Sequence, residues 1–343
     1  MKLYEIIIKP QSGFGTPLKG DTLFGHFCWQ AQYDTQLLNG GLDKWITVYE
    51  KRPFAVFSSA WPKLCIAGKM YYALKRPDLP LSRLFPAPDK DRRKRMTERK
   101  EKGKQKWLLV GEDLRIDLKI AKYKSETELA SLAFSELTDE TKRVMRGKDK
   151  RRLMVPFIQP HNTIDRQTQT TGEGMFAPYT MSSLYYYPEM ELAVFVLIDE
   201  EATDIARVRT TLERIGARGF GRDASTGLGR FDLAEDDEIK LPDAAEADAC
   251  YTLAPIVPEK GAFRDHCFTP FTRFGRHGDS LATSSAPFKN PVIMADEGAV
   301  FIPADRAVFG KPYLGRAIGD LSKIDPRTVA QGYAPYLPFK LEI

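Results

Sequence analysis

Residues 191–233 hold the pattern that most limits the fold. The segment ELAVFVLI (191–198) is almost entirely apolar and rich in β-branched and aromatic residues, which predicts a strand. Residues 202–215 then place Ile205, Val208, Leu212 and Ile215 at three-to-four spacing, which predicts an amphipathic helix. The next sixteen residues, GARGFGRDASTGLGRF (216–231), contain five glycines and three arginines, and a short strand is expected at 229–233. A strand, a helix with one apolar face and a second strand bury that face only by laying the helix on a sheet. The chain opens in the same order. MKLYEIIIKP alternates as a strand over 2–9, and Gly13, Gly15 and Pro17 mark a loop. A helix is predicted over 20–38 from the stripe Leu23, Phe24, Phe27, Cys28 and Ala31, with Asp21 as its N-cap and Gly40-Gly41 as its end. FAVFSS (54–59) reads as a strand.

Between these halves the character changes. Pro77, Pro80, Pro86 and Pro88 precede a run of charge, and residues 75–105 read as the irregular part of an insertion that spans 62–152. Within it, 107–120 fits strand or helix and 126–146 fits a helix. Residues 153–159 and 175–187 read as strands flanking the polar loop PHNTIDRQTQTTGEG. The acidic segment 234–248 reads as a linker or an exposed turn. Short strands follow at 249–257, 263–274, 291–296 and 299–302, and YAPYLPFKLEI closes the chain as another. A length of 343 residues is compatible with about two domains. The order of elements predicts an α+β fold of two ferredoxin-like (RRM-like) units packed together. The N-terminal unit would comprise 1–61 with 153–240, the basic insertion 62–152, and the C-terminal unit 241–343.

Charge narrows the partner class. The net charge is only +5, but residues 89–106 hold ten Lys/Arg against four Asp/Glu, and 142–152 hold seven against one. Residues 232–248 carry eight acids against one lysine. Clustered cations suit a polyanion, because each neutralised phosphate releases counterions. No apolar run reaches membrane-spanning length, and the N-terminus lacks a secretory core, so no membrane partner and a cytoplasmic location are expected. Cys28, Cys65, Cys250 and Cys267 form no CxxC pair, and neither a metal nor another cofactor is expected.

The 216–231 segment is not a Walker A loop, since no GKS or GKT ends it. It follows a helix rather than opening one, which argues against a dinucleotide fingerprint. A bare turn has no need of three arginines. Glycines permit close backbone approach and an anion-binding nest, Arg218, Arg222 and Arg230 present phosphate-matched forks, and Phe220 offers a ring to a base or an anchor to the core.

With this loop the chain resembles the RAMP superfamily of CRISPR proteins. Four blocks in order, GTPLKGDTLFGHFCW, HNTIDRQTQTTGEGMF, RGFGRDASTGLGRF and GYAPYLPF, make it similar to the fourth subunit of type III-A (Csm) effector complexes. That resemblance implies a non-catalytic RNA-binding subunit of an antiviral ribonucleoprotein. Such a subunit holds the 5′ repeat-derived tag of the guide RNA (crRNA). It links the large polymerase-like subunit to the backbone RAMP subunit, and a β-hairpin thumb within the insertion lies close to target RNA. Carried onto this sequence, the RNA-binding candidates of the first block are Thr16, Lys19, Gly20 and Thr22. The second block supplies His161, Asn162, Arg166, Thr170, Thr171 and Gly172, with Asp165 and Glu173 orienting Arg166 or accepting from bases. The third supplies Arg218, Gly219, Phe220, Gly221, Arg222, Ser225, Thr226, Gly227, Gly229 and Arg230. The main alternative is a metal-independent RAMP endoribonuclease that processes guide RNA with His26 as its acid or base. A generic RNA-binding protein is the other, and it has no need of the second and fourth blocks.

Overall fold

The computed structural model describes residues 1–85, 92–148 and 152–341. The Lys2–Pro10 strand is buried along most of its length rather than on alternate faces. Its position explains this. It lies inside an eight-stranded sheet, between Glu191–Ile198 and Phe231–Ile239, and is antiparallel to both. Ile6 faces Val194 and Ile8 faces Leu192. Ala55–Phe57 and Trp61–Ile66 pair with the far side of Glu191–Ile198. Strand order fourth–first–third–second, with helices Gly20–Tyr33 and Ile205–Arg218 as the two crossovers, is the ferredoxin-like arrangement. Leu23, Phe24, Phe27 and Ala31 of the first helix, and Val208, Leu212 and Ile215 of the second, fill the core beneath. The second helix starts where Asp204 accepts a hydrogen bond from the Arg207 N–H and stops at Gly219.

The insertion is folded, contrary to the irregular reading. Lys69–Lys75, Gln105–Gly111 and Lys122–Ser125 extend the same sheet, each antiparallel to its neighbour. Helix Glu126–Glu136 begins with a capping box between Ser125 and Glu128 and buries Leu129, Ala130 and Ala133. The described basic run forms helix Arg92–Lys104, which buries no described side chain. Residues 86–91 and 149–151, parts of the two basic runs, lie outside the described residues. The acidic segment is no linker at its start: Phe231–Ile239 is the edge strand. Charge on an exposed edge discourages further strand pairing. Met154–His161 and Tyr179–Tyr186 make a separate two-stranded hairpin just beyond the 62–152 segment in which the resemblance places a thumb.

In the C-terminal part, Ala249–Thr252, Phe263–Cys267, Val300–Pro303 and Tyr333–Lys340 repeat the ferredoxin-like strand order. No α-helix accompanies them among the described residues; the helical turns at Asp279–Thr283 and Arg306–Gly310 are short 3-10 segments. Alternation explains how the sheet does without helices. Ala249, Tyr251, Tyr333, Leu337 and Phe339 join the main core, whereas Cys250, Ala254, Ala334 and Tyr336 join a smaller cluster with Ile256 and Phe301. One face is therefore covered by the N-terminal unit itself.

Candidate nucleic-acid interface

The third block, read as a flexible cradle for phosphate, is tightly packed. Phe220 is fully buried, 4.6 Å from the His26 ring and 6.5 Å from Phe14. It is an anchor and cannot stack on a base. The backbone donors of the loop are already used. Phe220 N–H donates to the Gly229 carbonyl, Gly221 N–H to His26 Nε2 at 3.1 Å, Arg222 N–H to Thr16 Oγ1 at 3.0 Å, and Gly229 N–H to the Gly13 carbonyl. An anion nest at 219–222 is thereby excluded. The glycines serve packing instead: at Gly229, with positive φ, a Cβ would overlap the Phe220 backbone. Gly219 is buried as well, and Gly227 is half-exposed.

The arginines diverge. Arg222 donates to Asp223 and to the Ser182 carbonyl on the separate hairpin. Arg230 donates to the Ala217 carbonyl, and Arg218, Ser225 and Thr226 face solvent.

The first block is also largely structural. Lys19 is ion-paired with Asp296 and with Glu297, the latter at 2.8 Å, and so is not free for phosphate. A Cβ on Gly20 would overlap the Phe57 carbonyl. Asp21 is not the N-cap, a position held by Lys19 without a side-chain cap. Its carboxylate, 5% exposed, takes a bidentate pair from Arg273 at 2.6 and 2.8 Å. Thr22 is left half-exposed.

The second block sits at the tip of the hairpin, away from the other two. His161 stacks on Tyr179, and the turn is organised by Asp165, whose carboxylate accepts from Gln167 N–H at 2.8 Å. Asp165 holds its own turn rather than orienting Arg166. Asn162, Arg166, Thr170, Thr171 and Gly172 are exposed there.

What the tertiary structure adds is a cleft of about 670 Å³ between the two units. One wall carries Thr16, Asp21, Thr22, His26, Gly221 and Arg222. The other carries Arg273, Phe274, Arg276 and Lys289. Arg276 donates to the Ala282 carbonyl and lies over the Phe288 ring. Among the described residues no hydrogen bond or ion pair reaches Lys289 Nζ, and burial pushes its ammonium pKa down. Sequence reasoning missed this wall, although a signal was present: Phe220-Gly221-Arg222 recurs as Phe274-Gly275-Arg276. His26 is half-buried against the loop, and desolvation there pushes its pKa down to about 4, so the imidazole is neutral at pH 7 and accepts from Gly221. Among the described residues no group of three His, Cys, Asp or Glu is placed to hold a metal ion, and no helix is long and apolar enough to cross a membrane.

No family model and no curated protein matches the sequence. Solved structures do match the fold. A chain of the Csm3–Csm4 subcomplex of a type III-A CRISPR–Cas interference complex matches at TM-score 0.55 and 14% identity, over 99% of this chain and 100% of that one. Chains of a Csm1–Csm4 cassette match at 0.54 in the complex with cA4 and 0.53 in the complex with pppApA, both at 14% identity. In the cA4 complex the match covers 99% of this chain and 98% of that one, and in the pppApA complex 100% and 99%. The chain shares the α+β fold of these neighbours over its full length.

Proposed function

We propose that this chain is a non-catalytic RNA-binding subunit of a type III-A CRISPR effector ribonucleoprotein. In this reading it stands in the place of Csm4, the component common to the two kinds of neighbouring assembly. The 5′ tag of the guide RNA lies in the cleft between the units. A large polymerase-like subunit and a backbone RAMP subunit flank it, and the 154–186 hairpin reaches toward target RNA. The observation that carries the reading is the convergence of Arg222, Arg273, Arg276 and Lys289 on one cleft, with Lys289 half-buried and, among the described residues, without a hydrogen bond or ion pair at Nζ. An ammonium held that way is stabilised by an incoming phosphate. The state of His26 supports a binding role. A general base has to reach a 2′-OH, and the His26 Nε2 is occupied by a loop N–H.

The test is purification of the chain from cells expressing the whole complex, with sequencing of the bound RNA from its 5′ end. A short guide RNA of uniform 5′ sequence, together with a large polymerase-like subunit, is expected. A monomer without RNA would sink the proposal. Cleavage of a repeat RNA by the isolated chain, lost in His26→Ala, would establish the endoribonuclease reading in its place.

A further inference from the structure

We infer that Phe274 is the base-stacking platform of the cleft and that, with Arg276 and Lys289, it forms a subsite for one unpaired nucleotide. The inference rests on the RNA reading of the cleft and goes further by assigning this subsite. It starts from the repeated tripeptide. Gly221 and Arg222 of the first copy and Phe274, Gly275 and Arg276 of the second line the same cavity from opposite units, yet the two rings have opposite fates. Phe220 is 0% exposed and packed against His26 and Phe14. Phe274 is 77% exposed.

A single exposed apolar ring is ordinary on a protein surface. This one lies in a concave site whose other lining includes Arg273, Arg276 and Lys289. An accessible ring beside cations is the arrangement that takes single-stranded nucleic acid, with the base on the ring and the phosphate on the charge. The Lys289 N–H donates to the Gly275 carbonyl at 2.8 Å, and a Cβ at Gly275 would lie 3.2 Å from the Lys289 aliphatic stem, so Lys289 is held against the backbone next to Phe274. Arg273 is already spent on Asp21, and Arg276 is braced by the Ala282 carbonyl and the Phe288 ring. Among the described residues no hydrogen bond or ion pair reaches the Lys289 Nζ, which leaves it able to meet a phosphate. The fit is to a nucleotide whose base is unpaired, because a base in a duplex has no free face to offer.

The experiment uses the full chain and a labelled single-stranded RNA of about 8 nucleotides, within the usual span of such sites. Phe274→Leu keeps the apolar bulk and loses the π-face. It is expected to weaken binding by roughly 5- to 100-fold, as loss of one stacked base does. Phe274→Trp is expected to restore wild-type affinity, and a 2-aminopurine within the RNA to be quenched by the wild-type and Trp proteins only. Lys289→Gln separately is expected to lower the salt slope by about 0.7, one phosphate contact to a single strand. Wild-type affinity in Phe274→Leu alongside a loss in Lys289→Gln would overturn the subsite while leaving RNA in the cleft. Wild-type affinity in both would remove RNA from the cleft altogether. If Phe274→Leu instead releases a partner protein and leaves RNA affinity intact, the ring is a protein contact and the inference is wrong.

Discussion

Removing Arg273 should weaken the contact between the two units. The guanidinium spans from the C-terminal unit to the first turn of the Gly20–Tyr33 helix and meets a carboxylate that is 5% exposed. Breaking a buried pair from one side typically costs about 3–5 kcal/mol, since a desolvated charge is left behind. Asp21 lies near a helix N-terminus, which returns up to about 1–2 kcal/mol to a carboxylate there. Arg273 is itself 26% exposed, so water reaches part of the site and reduces the cost further. Arg273→Gln should therefore destabilise the chain by about 2 kcal/mol in urea unfolding. Asp21→Asn in the same background should recover most of that loss, because the orphaned charge is gone. Double-mutant-cycle coupling of roughly 1–3 kcal/mol between the two positions follows. Additive single effects, or an Arg273→Gln loss below about 0.5 kcal/mol, the range of ordinary surface changes, would show that the pair carries no inter-unit stability.

The other expectations concern the loop, pH and the basic helix. Phe220→Ala should cost about 3–5 kcal/mol by cavity formation, whereas Phe220→Leu should cost under about 2 kcal/mol and leave RNA affinity unchanged; an affinity loss in the folded Leu variant would restore Phe220 to the contact surface. The His26 pKa falls to about 4 in the folded chain from 6.5, so its contribution is complete above pH 6.5 and is lost as pH falls through 4. Burial raises Glu297 from 4.5 to about 7, so its contribution is complete below pH 4.5 and lost as pH rises through 7. The two slopes oppose each other between pH 4.5 and 6.5, and Glu297→Gln should make Tm rise with pH across that window; an unchanged Tm–pH profile would count against the assignment. Replacing residues 92–103 by a short Gly-Ser linker should leave Tm within a few degrees, because the described part of that helix buries no side chain; loss of soluble protein would contradict this.

Much of the N-terminal unit was legible because its elements carry their own periodicity. The apolar run at 191–198 and the stripe at Ile205, Val208, Leu212 and Ile215 each dictate a local conformation, and both formed as expected. The insertion was misread because proline and charge mask three strands that are stable only as additions to an existing sheet edge. A strand was expected at 229–233, but its acidic continuation over 234–239 was missed for a similar reason: an edge strand faces water on one side and lacks a buried signature. Asp21 and Lys19 look like a cap and a phosphate ligand when read beside their neighbours in sequence. Their partners Arg273, Asp296 and Glu297 lie more than 250 positions away.

The sequence by itself determined the strand–helix–strand units, the glycine–arginine loop and the concentration of positive charge, since these depend on residues close together in the chain. Only the tertiary structure decided which of those residues face a ligand. Folding of the N-terminal unit buried Phe220 against Phe14 and His26, and closing the C-terminal unit onto it occupied Lys19, while Phe274 and Lys289 were left lining a cleft. A side chain's availability depends on what packs against it: Phe14, Thr16 and His26, some 200 positions away, close over the Gly216–Phe231 segment, whereas the Phe274 ring stays open.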